Sequence, residues 1–235
     1  MMYENISSKT KKRTKMNLKN VILLVATLVC TGLAGIQAQN VKDIEGNVYK
    51  TVLIGKQVWM AENLRTTKLN DGTAISPVAD DQAWGALTTP AFCWYNKDAA
   101  ANKNTCGALY NWYTVSTNKL CPKGWHVSTD AEWTTLTTYL GGESVAGGKL
   151  RETGITHWEK PNAGATNESS FTALPGGYRN NHGAFANVGF FGFGWSATEY
   201  VPTASWCRTM GCAGSDILRI FSLKKNGYAI RCIKD

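Results

Sequence analysis

Histidine is scarce in this chain, and the few present keep apart. His126, His157 and His182 are the only three in 235 residues, and none has an H-E-x-x-H or C-x-x-C companion. That spacing offers no recognisable metal site, so each reads as a structural or surface residue. The G-x-S-x-G elbow, the Walker phosphate loop and the Rossmann glycine run are also missing, which removes the commonest hydrolase and nucleotide-binding signatures. Gly189 to Trp195 is rich in glycine but interleaved with Phe190, Phe191 and Phe193, which suits strand or loop packing better than a phosphate cradle. Long apolar runs are lacking too. The longest, residues 21–36, falls short of the roughly 20 residues needed to cross a bilayer, and Gly32 and Gly35 interrupt it. There is no internal repeat and no low-complexity linker, and no cofactor is expected.

What is present begins with a leader. Lys9, Lys11, Lys12, Arg13, Lys15 and Lys19 precede that apolar run, and Ile36-Gln37-Ala38 ends it with a small residue. Residues 1–38 therefore read as a secretory signal peptide, and the protein as exported, either secreted or held on the outer surface. Lipid attachment at Cys30 is a lesser alternative, because Val29 is bulky where a small residue is wanted. The leader carries six basic residues and Glu4, a net +5; the whole chain is +8, so residues 39–235 carry 8 − 5 = +3. The basic balance is mostly leader, and no nucleic-acid partner is expected. Residues 39–235 suit one domain with a sizeable core and no membrane-spanning segment. They hold all nine Trp and six Cys. An even number of cysteines in an exported chain suggests disulfides, with fifteen possible pairings among six.

The clearest local signal lies between Cys121 and Trp133. Thr129 and Glu132 form a T-x-x-E capping box, Trp133, Leu136 and Leu140 make one apolar stripe, and Gly141-Gly142 follows. This predicts a short amphipathic helix over residues 130–140. Upstream, residues 41–59 read as a hairpin, and residues 73–92 as a long loop with a few extended pieces. Ala108, Leu109, Trp112 and Val115 fit a second helix, and residues 144–152 a third, weakened by Gly147-Gly148. Residues 171–174 read as a strand and Pro175-Gly176-Gly177 as a turn. Residues 204–208, 217–223 and 228–233 read as short antiparallel strands, the last two joined through a Lys225-Asn226-Gly227 hairpin turn.

Several longer motifs occur in order: Asp43-Ile-Glu-Gly-Asn-Val-Tyr-Lys, Gln57-Val-Trp-Met-Ala-Glu-Asn-Leu64, Gly107-Ala-Leu-Tyr-Asn-Trp112, Cys121-Pro-Lys-Gly-Trp-His126, Ala173-Leu-Pro-Gly-Gly-Tyr178, Trp195-Ser-Ala-Thr-Glu199 and Arg231-Cys232. Over about residues 41–235 the chain thereby resembles the Fibrobacter succinogenes major paralogous domain family, known mostly from exported proteins of Bacteroidetes. The resemblance implies an α+β, C-type-lectin-like fold related to formylglycine-generating enzymes. Short helices would pack on small antiparallel sheets beside a long loop-rich segment. It also implies that the domain ends meet, with Cys121 and Cys232 as disulfide partners. The E-P-N, Q-P-D and W-N-D signatures of calcium-dependent sugar-binding lectins are missing.

Three functional expectations follow. The first is a non-catalytic module binding an extracellular protein or glycan through its C-terminal face, with Phe190, Phe191, Phe193, Trp206, Arg208, Arg219 and Phe221 as the binding residues. The second concerns residues 185–221, which the family fills with Tyr and Asn. Phe190, Phe191, Phe193, Cys207, Cys212, Ile217, Leu218, Ile220 and Phe221 occupy such positions here. Tyr and Asn codons reach these residues by changes at adenine, the pattern left by a diversity-generating retroelement, so this stretch would be a diversified face on a fixed scaffold. The third is a copper-dependent oxidase, in which Cys207 and Cys212 would hold Cu(I) as the paired thiolates of formylglycine-generating enzymes do. A purely structural surface protein remains a further alternative.

Overall fold

Asp43 organises the first turn. In this computed structural model, which describes residues 40–235, its carboxylate accepts from the backbone N–H groups of Glu45 and Asn47 and from the Tyr49 hydroxyl. Gly46 takes φ +82° there, a conformation open to glycine without strain. The turn joins β1 (Val41–Lys42) to β2 (Val48–Tyr49). A second turn at Gly55 joins β3 (Thr51–Ile54) to β4 (Gln57–Met60). The hairpin expected over residues 41–59 is thus two hairpins in series. The described residues make up one compact unit. The signal peptide expected over residues 1–38, and Cys30 within it, lie outside the described residues.

The stretch read as a loop holds more structure than periodicity reveals. It contains β5 (Ser76–Pro77) and helix α1 (Asp81–Ala86), capped by Asp80 accepting from the Ala83 N–H at 2.7 Å. Only Trp84 of α1 is buried, so no apolar stripe marks it. β6 (Ala91–Cys93) and α2 (Ala99–Asn102) follow. The helix expected from Ala108 starts later: Leu109 and Tyr110 form β7 (Leu109–Tyr110) against β6, and Asn111 then caps α3 (Trp112–Val115). β8 (Trp125–Val127) leads into α4 (Asp130–Tyr139), whose Thr129–Glu132 capping box has both of its hydrogen bonds. Gly141 and Gly142 end α4 at φ +104° and +100°.

α5 (Glu143–Leu150) forms despite its two glycines. A Cβ on Gly147 would overlap the Asp216 carbonyl, and one on Gly148 the Gly164 carbonyl. Close backbone approach, not helix propensity, selects glycine here. Residues 171–174 form no strand; Ala173 makes a single bridge to Arg151. Gly176 and Gly177, expected as a turn, instead begin β9 (Gly176–Arg179), which pairs with β10 (Phe185–Val188). β11 (Phe191–Val201), β12 (Ala204–Gly211) and β13 (Leu218–Leu223) make a three-stranded antiparallel sheet. Lys225-Asn226-Gly227 does not fold β13 back onto the final strand. Instead β14 (Cys232–Lys234) inserts between β4 and β8, in a sheet of order β3-β4-β14-β8. The architecture is α+β, with short helices and several small, mostly antiparallel sheets.

Buried aromatics fill the interior. Trp59, Trp133 and Phe171 meet in a triad with ring centroids 5.0–5.9 Å apart, near Leu136, Leu140 and Trp158. Trp195, Tyr228 and Tyr110 centre a second cluster. Irregular segments between the elements are held by buried arginines. Arg151 donates to the carbonyls of Gly211, Ala163 and Gly214. Arg179 donates to those of Val78, Ala79 and Gly183. A guanidinium presents five N–H donors in a fixed fork, so one side chain satisfies loop carbonyls that no ladder reaches. Cys121 and Cys232 form a disulfide, as the family resemblance implies, and Cys93, Cys106, Cys207 and Cys212 are free and buried.

Candidate functional site

Strand alternation decides which of the expected binding residues can act together. Across β12 and β13, Trp206 faces Phe221 and Arg208 faces Arg219, so these four share one side of the sheet. Phe193 lies opposite Thr209, and Phe191 opposite Gly211. Thr209 and Gly211 are odd steps from Trp206, which puts both phenylalanines on the other side. The single face expected from the sequence is therefore two.

On the first side the aromatic rings gather at the surface. Tyr200, at the end of β11, stacks on Phe221 at 4.6 Å with 19° between planes, and meets the Trp206 ring edge at 4.7 Å. Arg219 lies over the Trp206 ring at 3.5 Å. Asp130, the first residue of α4, fixes that arginine: Arg219 donates from Nε at 3.0 Å and from Nη2 at 2.9 Å. The same carboxylate accepts from Arg208 Nη1 at 2.7 Å. Burial alone would raise the Asp130 pKa, but the hydrogen bonds from Arg219 and Arg208 outweigh it and hold the group below the usual carboxylate range. Phe221 is 56 % exposed, whereas Arg208 is fully buried. Arg208 is thus corrected from a binding residue to a buried support beneath the exposed ones.

The second side belongs largely to the core. Phe193 is half-buried and stacks on Tyr228 at 4.9 Å and 16°, beside Tyr178. Phe190 and Phe191 are exposed at its margin. Cys207 lies in the cluster of Trp195 and Tyr228, and Cys212 in that of Met210 and Ile217. The two sulfurs are not brought together as one copper ion would need, and burial pushes the Cys207 thiol up to about 12. The positions that adenine mutagenesis would vary split by burial and not by side of the sheet. Phe190, Phe191, Leu218 and Phe221 are exposed, whereas Cys207, Cys212 and Ile217 are buried. Free variation at the buried three would disturb close packing.

Residues 52–234 match the profile described as the Fibrobacter succinogenes major domain. The chain belongs to that family. The match covers α4, the disulfide and the whole platform of Tyr200, Trp206, Arg219 and Phe221. Neither the curated proteins nor the solved structures give a match. Among the described residues of this Fibrobacter succinogenes major domain, no three His, Cys, Asp or Glu side chains converge as a metal ligand set. Nor is any helix among them long and apolar enough to cross a membrane. Sequence reasoning missed Tyr200 and the part played by Asp130. Asp130 carried a signal as an acid in the first turn of a capped helix; for Tyr200 none distinguishes it from other strand aromatics.

Proposed function

We propose that this chain is an exported, non-catalytic binding module with a C-type-lectin-like fold. It grips a protein or glycan outside the cell through Tyr200, Trp206, Arg219 and Phe221. The observation that carries this reading is an exposed aromatic platform held in fixed geometry, with Phe221 stacked on Tyr200 and Arg219 clamped between Trp206 and Asp130. Aromatic and Arg side chains dominate binding energy at interfaces, and rings fixed in advance lose little entropy on contact. Phe190 and Phe191 supply a separate, smaller patch on the other side of the sheet. No cofactor enters this function. The test is a Tyr200→Ser/Phe221→Ser double variant, compared with the parent on a glycan array and against a displayed peptide library. The parent should select a defined ligand, and the variant should lose at least about tenfold in affinity, roughly 1.4 kcal/mol, with an unchanged circular dichroism spectrum. A variant that binds the selected ligand as the parent does removes the platform from the function.

A further inference from the structure

A hollow that shares no residue with the aromatic platform is lined by Glu62, Asn104, Thr105, His157, Thr172 and Arg231, among others; it is open to solvent and has a volume of about 280 Å³. Arg231 lies at its base. Its guanidinium donates from Nε to Asn63 Oδ1 at 2.6 Å and from Nη1 to the Met60 and Phe171 carbonyls at 3.1 and 2.7 Å. Nη2 donates to the Thr172 carbonyl at 2.9 Å. Four of the five N–H donors are thereby used. The fifth, on Nη2 beside Thr172, has no acceptor among the described residues. None of the four acceptors is charged. Arg179 and Arg208, also buried, each meet a carboxylate, on Asp81 and Asp130. Arg151 meets none either, but it does not line this hollow. Arg231 therefore sets a positive charge with no directly bonded carboxylate against an opening to solvent, an arrangement that costs stability until an anion joins it. Burial pulls its pKa down to about 9, and the Glu62 carboxylate, which makes no hydrogen bond to it, only partly offsets that loss of water.

The wall carries one carboxylate and several hydrogen-bonding side chains. Glu62 at the rim is already engaged, by Arg65 at 3.0 Å and by the Lys50 N–H at 3.1 Å. His157 is held through Nδ1 by Glu152 at 2.7 Å, which leaves Nε2 without a partner among the described residues. Asn104 and Thr105 place an amide and a hydroxyl on the same wall. We infer that this hollow binds a small carboxylate, anchored by the free Nη2–H of Arg231 and surrounded by His157, Asn104 and Thr105. The carboxylate belongs either to a sugar acid or to the end of a peptide, and the two sources are separable.

Calorimetric titration of the purified protein with glucuronate, N-acetylalanine and glucose tests this. At least one of the two carboxylates should bind saturably, at about 10 mM or tighter, and neutral glucose should not bind. The one that binds names the source. His157→Ala and Thr105→Val alter only the wall. Each should weaken binding by about fivefold or more, roughly 1 kcal/mol, without moving the melting temperature. Arg231→Gln should abolish binding; because Arg231 also anchors carbonyls, the two wall variants decide the matter if that protein fails to fold. The inference is overturned if neither carboxylate saturates, if glucose binds equally, or if both wall variants bind as the parent does. The platform variant Tyr200→Ser/Phe221→Ser leaves this hollow intact, so failure here and failure there are separate results.

Discussion

Asp130 joins three elements through one carboxylate, and the burial of its partners sets what its loss should cost. Arg208 is fully buried, whereas the Arg219 side chain is 38 % exposed. Asp130→Ala leaves the Arg208 charge in the interior with no counter-charge, a loss of about 3–5 kcal/mol for a broken buried pair. Arg219→Ala leaves Asp130 and Arg208 together and removes only a solvated partner, about 1 kcal/mol or less. At about 2–4 °C per kcal/mol for a domain of this size, Asp130→Ala should lower the melting temperature by roughly 6–20 °C, and Arg219→Ala by no more than about 4 °C. Urea unfolding followed by tryptophan fluorescence gives both free-energy losses, and thermal unfolding gives the two shifts. The pH dependence has a definite sign. Asp130 is held below its ordinary 3.8, so its contribution is complete above that value and is lost as pH falls below it through the folded pKa. Asp130→Ala should therefore remove part of the acid sensitivity as well as stability. If Asp130→Ala costs no more than Arg219→Ala, the buried pair with Arg208 is not what holds α4 to the sheet.

Other outcomes follow from the same structure. Cys121→Ser/Cys232→Ser, which opens a loop with a sequence separation of 111, should lower stability by about 5 kcal/mol on the chain-entropy model; a loss below about 1 kcal/mol in urea would contradict that. The free thiols of Cys93, Cys106 and Cys207, pushed up to about 12, 11 and 12 by burial, should resist a disulfide reagent at neutral pH and react after denaturation. Rapid reaction of any of them in the folded protein would show that its site opens to solvent. His126 lies between Asp235 Oδ1 at 2.6 Å and Glu132 Oε1 at 2.9 Å. Burial lowers its pKa, but these bonds raise it above 6.5 overall. Its stabilising effect is complete below 6.5 and fades as pH rises through the folded value, so the protection of the amides of residues 232–235 against hydrogen exchange, relative to the unfolded-chain rate at each pH, should fall as pH rises above 6.5 in the parent but not in His126→Ala. Gly147→Ala should destabilise by about 1–3 kcal/mol through overlap with Asp216, the reverse of the gain that helix propensity forecasts.

The parts of the fold legible in the sequence are those made by neighbours in the chain. α4 is one, because Thr129, Glu132, Trp133 and Gly141 lie within four turns and each acts locally. What escaped was made by distant segments. α1 has a cap but no apolar stripe, since one Trp buries it. Gly147 and Gly148 read as helix weaknesses because the backbone they admit arrives from residues 164 and 216. The hairpin expected between β13 and β14 failed for a related reason: turn chemistry at Asn226-Gly227 sets a local bend, but the pairing of β14 is decided by β4 and β8. The candidate site was half legible. Trp206, Arg219 and Phe221 do converge, but their meeting with Tyr200 and Asp130 depends on strand register, which no local pattern specifies.

The place of β14 between β4 and β8 also sets a timetable for biosynthesis. β4 leaves the ribosome more than 170 residues before β14, and β8 more than 100 residues before it. Until residues 232–234 exist, the two flanking strands have no common neighbour and the four-stranded sheet stays open along its middle. Cys121 waits through the same interval, while Cys207 and Cys212 are made ahead of its proper partner. An oxidant that acts before the closing strand is made finds Cys121 among other thiols and without Cys232, so early oxidation gives wrong cross-links that only later thiol–disulfide exchange undoes.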